Sequence, residues 1–350
     1  MKIAVDYRLA AGSNRGMARY CREIVNELFS LDSQNEYYLL TNSVSADVNL
    51  PQNFRFVHLK LTNFILSEQL SIPSCCRKIK PDVLWCPYNT FPILLPRKTR
   101  LVVTIHDLIF LHAPAWKENL YKRVGRLYRK FVLQNFSRHI DFYFTVSKYS
   151  DDSIRNLLKL ACSGIITPNC LSKGFISCAE KYKQAEKEQF FFTVSGDNPS
   201  KNLLFLIKTF TQKLPDATLY IAGLGENSVF RKFQSEKIIF LPQNILDEEL
   251  VKFYSTCKAF IFPSLEEGFG IPIIEALCCH AKVISSNRTC LPEIVGNHGL
   301  LFDPTDEISL LNAIKQVDEH TFSYDITRYV SWKNSAQLVL DEFIKQEQSK

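Results

Sequence analysis

The stretch Pro263–His280 reads PSLEEGFGIPIIEALCCH; it follows a short apolar run, Lys258–Phe262 (KAFIF), and runs into strong helix formers over Ile271–Cys279. A buried-type strand, a glycine-bearing turn and a helix therefore follow one another. Pro272 suits the first helical position, where a missing N–H costs nothing, and Gly268 and Gly270 let the backbone approach a ligand with no Cβ in the way. The free N–H groups of the helix start then face an anion. Glu267 in the loop and Glu275 in the first turns stand eight residues apart. An anion-binding turn with two carboxylates suits a ligand that carries both phosphates and hydroxyls, as a nucleotide sugar does. The plainer alternative is that both glutamates only complement the helix dipole.

Strands alternate with helices of about a dozen residues on both sides of this stretch, which means βαβ units and parallel sheets. Before it lie a strand at Phe190–Val194, the loop SGDNPS, a helix Lys201–Lys213, strands at Thr218–Ala222 and Lys237–Leu241, and a helix Asp247–Thr256. After it come a strand at Lys282–Ser285 and a helix Ile308–Val317. The first half repeats the pattern. Met1–Tyr7 reads as a strand, Ala18–Ser30 as a helix, Glu36–Leu40 and Phe54–Leu59 as strands, and Ser67–Ile79 as a helix. Asp82–Trp85, Leu101–Ile105, Asp141–Val146 and Ile165–Thr167 read as further strands, and Trp332–Lys345 as a terminal helix. At 350 residues two domains are expected. The charge-rich segment Leu171–Gln189 has no clear periodicity and is the expected linker, giving domains over 1–171 and 190–330, a linker over 172–189, and a helix 332–348 that returns to the first domain.

The composition, 46% hydrophobic and 22% charged, is that of a globular protein. No run of 18 apolar residues occurs, and MKIAVDYRLA is too soon charged for a signal peptide. The expected location is the cytoplasm, with peripheral attachment to the inner face of the plasma membrane. Eleven scattered cysteines without C-x-x-C suggest reduced thiols. Seven histidines without a short-range cluster suggest no bound metal. Residues 1–175 carry 24 Lys and Arg against 13 Asp and Glu, while the remainder is mildly acidic. The first half is thus expected to meet a polyanionic or membrane-bound partner, nucleic acid not being among those expected.

Much of that basic charge falls in one helix, expected over 116–138. Leu120, Val124, Leu127 and Phe131 mark one stripe, Tyr121, Tyr128 and Val132 stand beside it, and Lys117, Lys122, Arg123, Arg126, Arg129, Lys130 and Arg138 occupy the rest. Two readings stand. The helix lies on an anionic membrane surface, or it faces a core with a solvated basic back.

EGFGIPIIEA resembles the EGFGLPxxEA signature of the family 4 (group 1) retaining glycosyltransferases, in which the first Glu holds the donor sugar and the second the ribose. Further segments are similar in order along the chain: GMARY at Gly16 to GIGRY, VVTIHDL at His106 to TIHDL, FTVSKYS to TVSxxS, and SGDNPSKNL to VGxxxPRKNL. SN with LPE at Leu291, LFDP at Leu301 and SWKNSA at Ser331 match the rest. Cys170 stands where Gly is usual, Ser200 replaces an Arg, and His280 and Lys282 stand where Gly and Pro are common.

The resemblance implies two Rossmann-like domains of the GT-B architecture facing across a cleft. It implies donor contacts from Gly16, Gly196, Lys201, Gly268, Phe269, Gly270, Ile271 and Glu275, with His106, Lys201 and Glu267 at the reacting end, and no metal or other cofactor. The implied activity is transfer of a sugar, mannose from GDP-mannose, to a glycan or lipid-linked acceptor in bacterial polysaccharide or lipopolysaccharide synthesis. The absence of an Asp-x-Asp triplet counts against metal-dependent single-domain transferases. Other readings are a degenerate transferase serving as a membrane scaffold or partner subunit, a nucleotide-sugar epimerase, and a dinucleotide oxidoreductase suggested by Ala222–Gly225, which lacks the third glycine. From its position at the head of the expected helix, Lys201 is expected in a first turn, where a cation calls for a nearby anion.

Overall fold

The computed structural model describes residues 1–11, 16–43, 49–112, 120–160 and 164–348. Met1–Asn169 with Trp332–Lys350 form one compact unit, and Cys170–Ser331 form the second. Each is a wholly parallel sheet flanked by helices.

In the first unit the strands are β1 (Lys2–Asp6), β2 (Glu36–Thr41), β3 (Phe54–His58), β4 (Val83–Cys86), β5 (Arg100–Thr104), β6 (Phe142–Thr145) and β7 (Ile165–Ile166), in the order β3-β2-β1-β4-β5-β6-β7. The runs KIAVD, VLWC and FYFT are almost entirely buried, as strands covered on both faces must be. The apolar run Ser67–Ile79 belongs to a longer helical segment from Phe64, which contains a π-turn at Ser67–Ser71. Pro73 accounts for the wide turn, because it has no N–H to return to the residues before it. The terminal helix Trp332–Gln348 packs along the helix Gly16–Leu31 of the same unit, with Trp332 edge-on to Tyr20.

The second unit holds β8 (Phe190–Val194), β9 (Thr218–Ala222), β10 (Ile238–Phe240), β11 (Ala259–Phe262), β12 (Val283–Ser286) and β13 (Gly299–Phe302), in the order β10-β9-β8-β11-β12-β13. Residues 172–189, left as linker by the sequence, are part of this unit. Lys173–Lys181 is a helix capped by Ser172, and it buries Phe175 and Ala179 against the helix Asp247–Thr256. Its charges are spread around an apolar face too narrow to register as periodic. Lys187 Nζ then donates to the carbonyls of Ser255 and His280, at 2.6 and 3.0 Å, near the ends of two helices.

Candidate active site

In the second sheet the strand order turns back at β8 and β11. Open α/β sheets bind ligands outside the carboxyl ends of their strands at such a point. The loops that leave β8 and β11 are fastened together there. The Leu265 N–H donates to the Ser200 carbonyl at 2.7 Å, and Lys201 Nζ meets Glu267 Oε1 at 2.6 Å. The Lys201 and Glu267 side chains are 29% and 13% exposed, so the pair keeps an open side.

Lys201 is not in the first turn of a helix. It ends a single 3-10 turn, Pro199–Lys201, and Asn202 in the left-handed region (φ 55°) separates it from the helix Leu203–Lys213. The anion beside it is Glu267, so its placement needs no phosphate to explain it.

Gly270 has φ +95°, and a Cβ there would lie 2.9 Å from Leu291 Cδ2, so both conformation and space require glycine. It is the N-cap of the helix Ile271–Cys278 and offers no side-chain cap to the N–H groups that follow. Glu275, one turn further on, is buried and accepts a hydrogen bond from the Tyr254 hydroxyl at 3.1 Å. Burial holds the Tyr254 phenol well above its ordinary pKa, which keeps it a donor. The Phe269 ring is buried edge-on to Tyr329, which leaves only its backbone for a ligand. Gly268 and Ile271 are half-buried in the same turn. At Gly196, in the loop after β8, an added Cβ would meet nothing within 4 Å, so packing does not demand glycine there. Gly223 differs: φ is +91° and a Cβ would lie 2.4 Å from the Ser195 carbonyl. The Ala222–Gly225 stretch therefore owes its first glycine to contact with the chain leaving β8.

In the first unit the order turns back at β1 and β4. His106 lies just past β5 in a clamp made by the loop after β4. Its Nε2 is 3.0 Å from the Pro87 carbonyl, and its N–H donates to Asn89 Oδ1 at 2.8 Å. Asn89 Nδ2 donates in turn to the Asp107 carbonyl at 3.2 Å. A carbonyl only accepts, so Nε2 carries the proton and Nδ1 is an acceptor. The edge of the ring meets Tyr20 at 4.8 Å between centroids. Burial pushes the His106 pKa down to about 4, so the ring is neutral at pH 7. Gly16 opens the helix Gly16–Leu31 with φ +51° and open space around its Cα.

Sequence reasoning missed a buried charge cluster next to this clamp. The Arg8 guanidinium donates to both Asp6 oxygens, at 2.8 and 2.7 Å, to Glu68 at 3.0 Å and to the Phe64 carbonyl at 2.6 Å. Glu68, in the π-turn, also accepts from Thr90 at 2.8 Å and from Tyr128. Burial raises the Glu68 pKa and the Arg8 charge opposes that shift. The one available signal was Asp6, a charge closing the apolar run KIAV, with Arg8 two residues on. Tyr254 carried no signal at all, since it stands 21 residues before the carboxylate it supports.

Comparison with known proteins bears on both units. Residues 178–331 match the family model described as glycosyl transferases group 1. The serotype-specific mannosyltransferase WbdA of Escherichia coli is 26% identical over 73% of this chain and 34% of its own length. The O-antigen chain mannosyltransferase RfbU of Salmonella typhimurium is 27% identical over 72% of this chain and 70% of its own. The chain spans less than half the length of the WbdA proteins it matches, 34% to 45%. Among solved structures, the sucrose-phosphate synthase of Thermosynechococcus elongatus superposes over 100% of both chains with a TM-score of 0.72 at 16% identity. With its two parallel sheets in Rossmann-like units, the chain has the GT-B fold, and over residues 178–331 it is similar to the glycosyl transferases group 1.

Proposed function

We propose that the protein is a retaining, metal-independent glycosyltransferase of cell-surface polysaccharide synthesis. It moves mannose from GDP-mannose to a glycan or lipid-linked acceptor, as a cytoplasmic enzyme attached peripherally to the membrane. The observation that carries this reading is the Lys201–Glu267 pair at the turning point of the second sheet, with an uncapped helix start and Glu275 beside it. The mannosyltransferase names of WbdA and RfbU support the choice of sugar.

Breaking the anomeric bond puts charge on the departing diphosphate. Lys201 and the N–H groups that open the helix Ile271–Cys278 stabilise it electrostatically. Glu267, released from Lys201 as phosphate enters, accepts from sugar hydroxyls. Glu275, fixed by Tyr254, accepts from the ribose. The acceptor hydroxyl attacks from the side the diphosphate leaves and passes its proton to the leaving phosphate oxygen, so no separate base is assigned.

Thermal-shift measurements with GDP-, UDP- and ADP-sugars test the reading. GDP-mannose at about a hundred times its Kd is expected to add about 2.7 kcal/mol and raise Tm by several degrees. A shift with a UDP-sugar alone overturns the donor, and no shift with any overturns the transferase. Lys201→Ala and Glu275→Ala should each lower kcat/KM by about a hundredfold or more.

A further inference from the structure

Of the helix expected over 116–138, residues 116–119 lie outside the described residues; the described helix, Leu120–Phe136, carries five Lys and Arg and no Asp or Glu, and it does not turn the stripe of Val124, Leu127 and Phe131 to the core. Val132 and Leu133 are buried in the core of the first unit, with Tyr128 and Phe136 packed beside them. Arg126 is also buried, and Arg129 lies over the Phe110 ring at 5.1 Å. The stripe at helical spacing, Val124, Leu127 and Phe131, faces outward instead, at 45%, 49% and 53% exposure.

Two neighbouring elements of the same unit also turn apolar side chains outward. Leu66 and Leu70, on the helical segment with the π-turn, are 49% and 57% exposed, and Leu94 is 72% exposed. Gln69 joins all three elements. Its Nε2 donates to the Tyr128 hydroxyl and to the Phe91 carbonyl, and its Oε1 accepts from the Ile93 N–H at 2.9 Å. Arg123, Arg97 and Lys98, which flank these side chains in sequence, are exposed, and Lys130 is half-buried. None of the four has a carboxylate partner among the described residues.

We propose that this face of the first unit docks on an anionic phospholipid bilayer. Val124, Leu127, Phe131, Leu66, Leu70 and Leu94 would enter the boundary between headgroups and acyl chains, while the neighbouring cations meet the headgroups. The charge decides the occupant. An apolar patch whose exposed flanking charges, among the described residues, are cations suits a surface that is apolar and negative at once, and an anionic bilayer is one. A second copy of this chain would oppose the same cations to themselves. The inference rests on the acceptor half of the proposed function, since an enzyme that glycosylates a lipid-linked acceptor must reach the membrane.

Flotation with phosphatidylcholine vesicles, with and without phosphatidylglycerol, tests it on the full chain. The protein should float only with phosphatidylglycerol and be released by salt. Leu127→Ser combined with Phe131→Ser should cut the floated fraction at least tenfold while keeping the wild-type Tm and the wild-type shift with GDP-mannose. Arg123→Glu combined with Lys130→Glu should do the same. Three results overturn the inference: no flotation, equal flotation with neutral vesicles, or a wild-type dimer in sedimentation velocity that the serine variant dissolves. A protein that floats yet binds no nucleotide sugar leaves the docking surface standing and removes the transferase; the converse removes only the docking.

Discussion

His106 shows how much a single residue's meaning depends on its surroundings. In sequence it is a histidine after a strand, open to a structural or a catalytic role. In the structure it is enclosed, its Nε2–H is committed to Pro87, and its pKa is pushed down to about 4. The unfolded chain binds a proton at that ring near pH 6.5 and the folded one only near pH 4, so between these values the unfolded state holds more protons. Stability is therefore full above about pH 6.5 and falls as pH drops toward 4. Urea unfolding at pH 7 and at pH 4.5 should show about 2 kcal/mol lost to this group. His106→Gln, which cannot take the proton, should show a correspondingly flatter dependence; an unchanged slope in the variant would place the titration elsewhere.

Between elements, the interactions that matter most join residues far apart in the chain. Arg8, in the loop after β1, is the only cation bonded to the buried carboxylates of Asp6 and Glu68 among the described residues. Removing it leaves two buried acids without their counter-charge, which typically costs about 3–5 kcal/mol. Arg8→Ala should lose about that much in urea unfolding, whereas Arg55→Ala, which breaks an exposed pair with Glu36, should lose less than about 1 kcal/mol. The strands were legible because each is a short apolar run bounded by turn residues, and the Glu267–Glu275 turn because its elements are contiguous. The cluster was not, since Glu68 follows Arg8 by 60 residues and reaches it through a π-turn that no spacing rule anticipates. The basic helix misled for another reason. Periodicity shows which residues share a face but not which face the core takes, and here the core took Tyr128, Val132 and Leu133. Glycine at position 280 would have been the ordinary choice, because that residue lies in the left-handed region at φ 53°; His280 occupies it with its ring against Tyr324.

At the scale of the whole chain the two units differ in how they are assembled. The core of the first is completed from the far end of the sequence. Phe343 meets Trp85, Phe142 and Phe144, with ring centroids 6.0 to 6.4 Å apart, and Ser335 Oγ donates to the Pro168 carbonyl at 2.9 Å. The second unit is continuous, and Lys201, Tyr254, Glu267 and Glu275 all lie within it. A fragment of residues 170–331 should therefore melt cooperatively and, on the proposed function, bind GDP-mannose in calorimetry without transferring sugar. Residues 1–169 alone uncover the side of Trp85, Phe142 and Phe144 that Phe343 packs against and should precipitate, with solubility restored by fusing residues 332–350. The segment that reads as linker provides the sharpest contrast. It contributes the buried Phe175 and Ala179 and the Lys187 bonds to two helix ends. A fragment starting at residue 190 forfeits these contacts, and losing a buried aromatic side chain alone typically costs about 3–5 kcal/mol. Its Tm should fall by 10 °C or more, roughly, below that of the fragment starting at residue 170. Equal melting temperatures would show that 170–189 is a tether and not part of the second unit's fold.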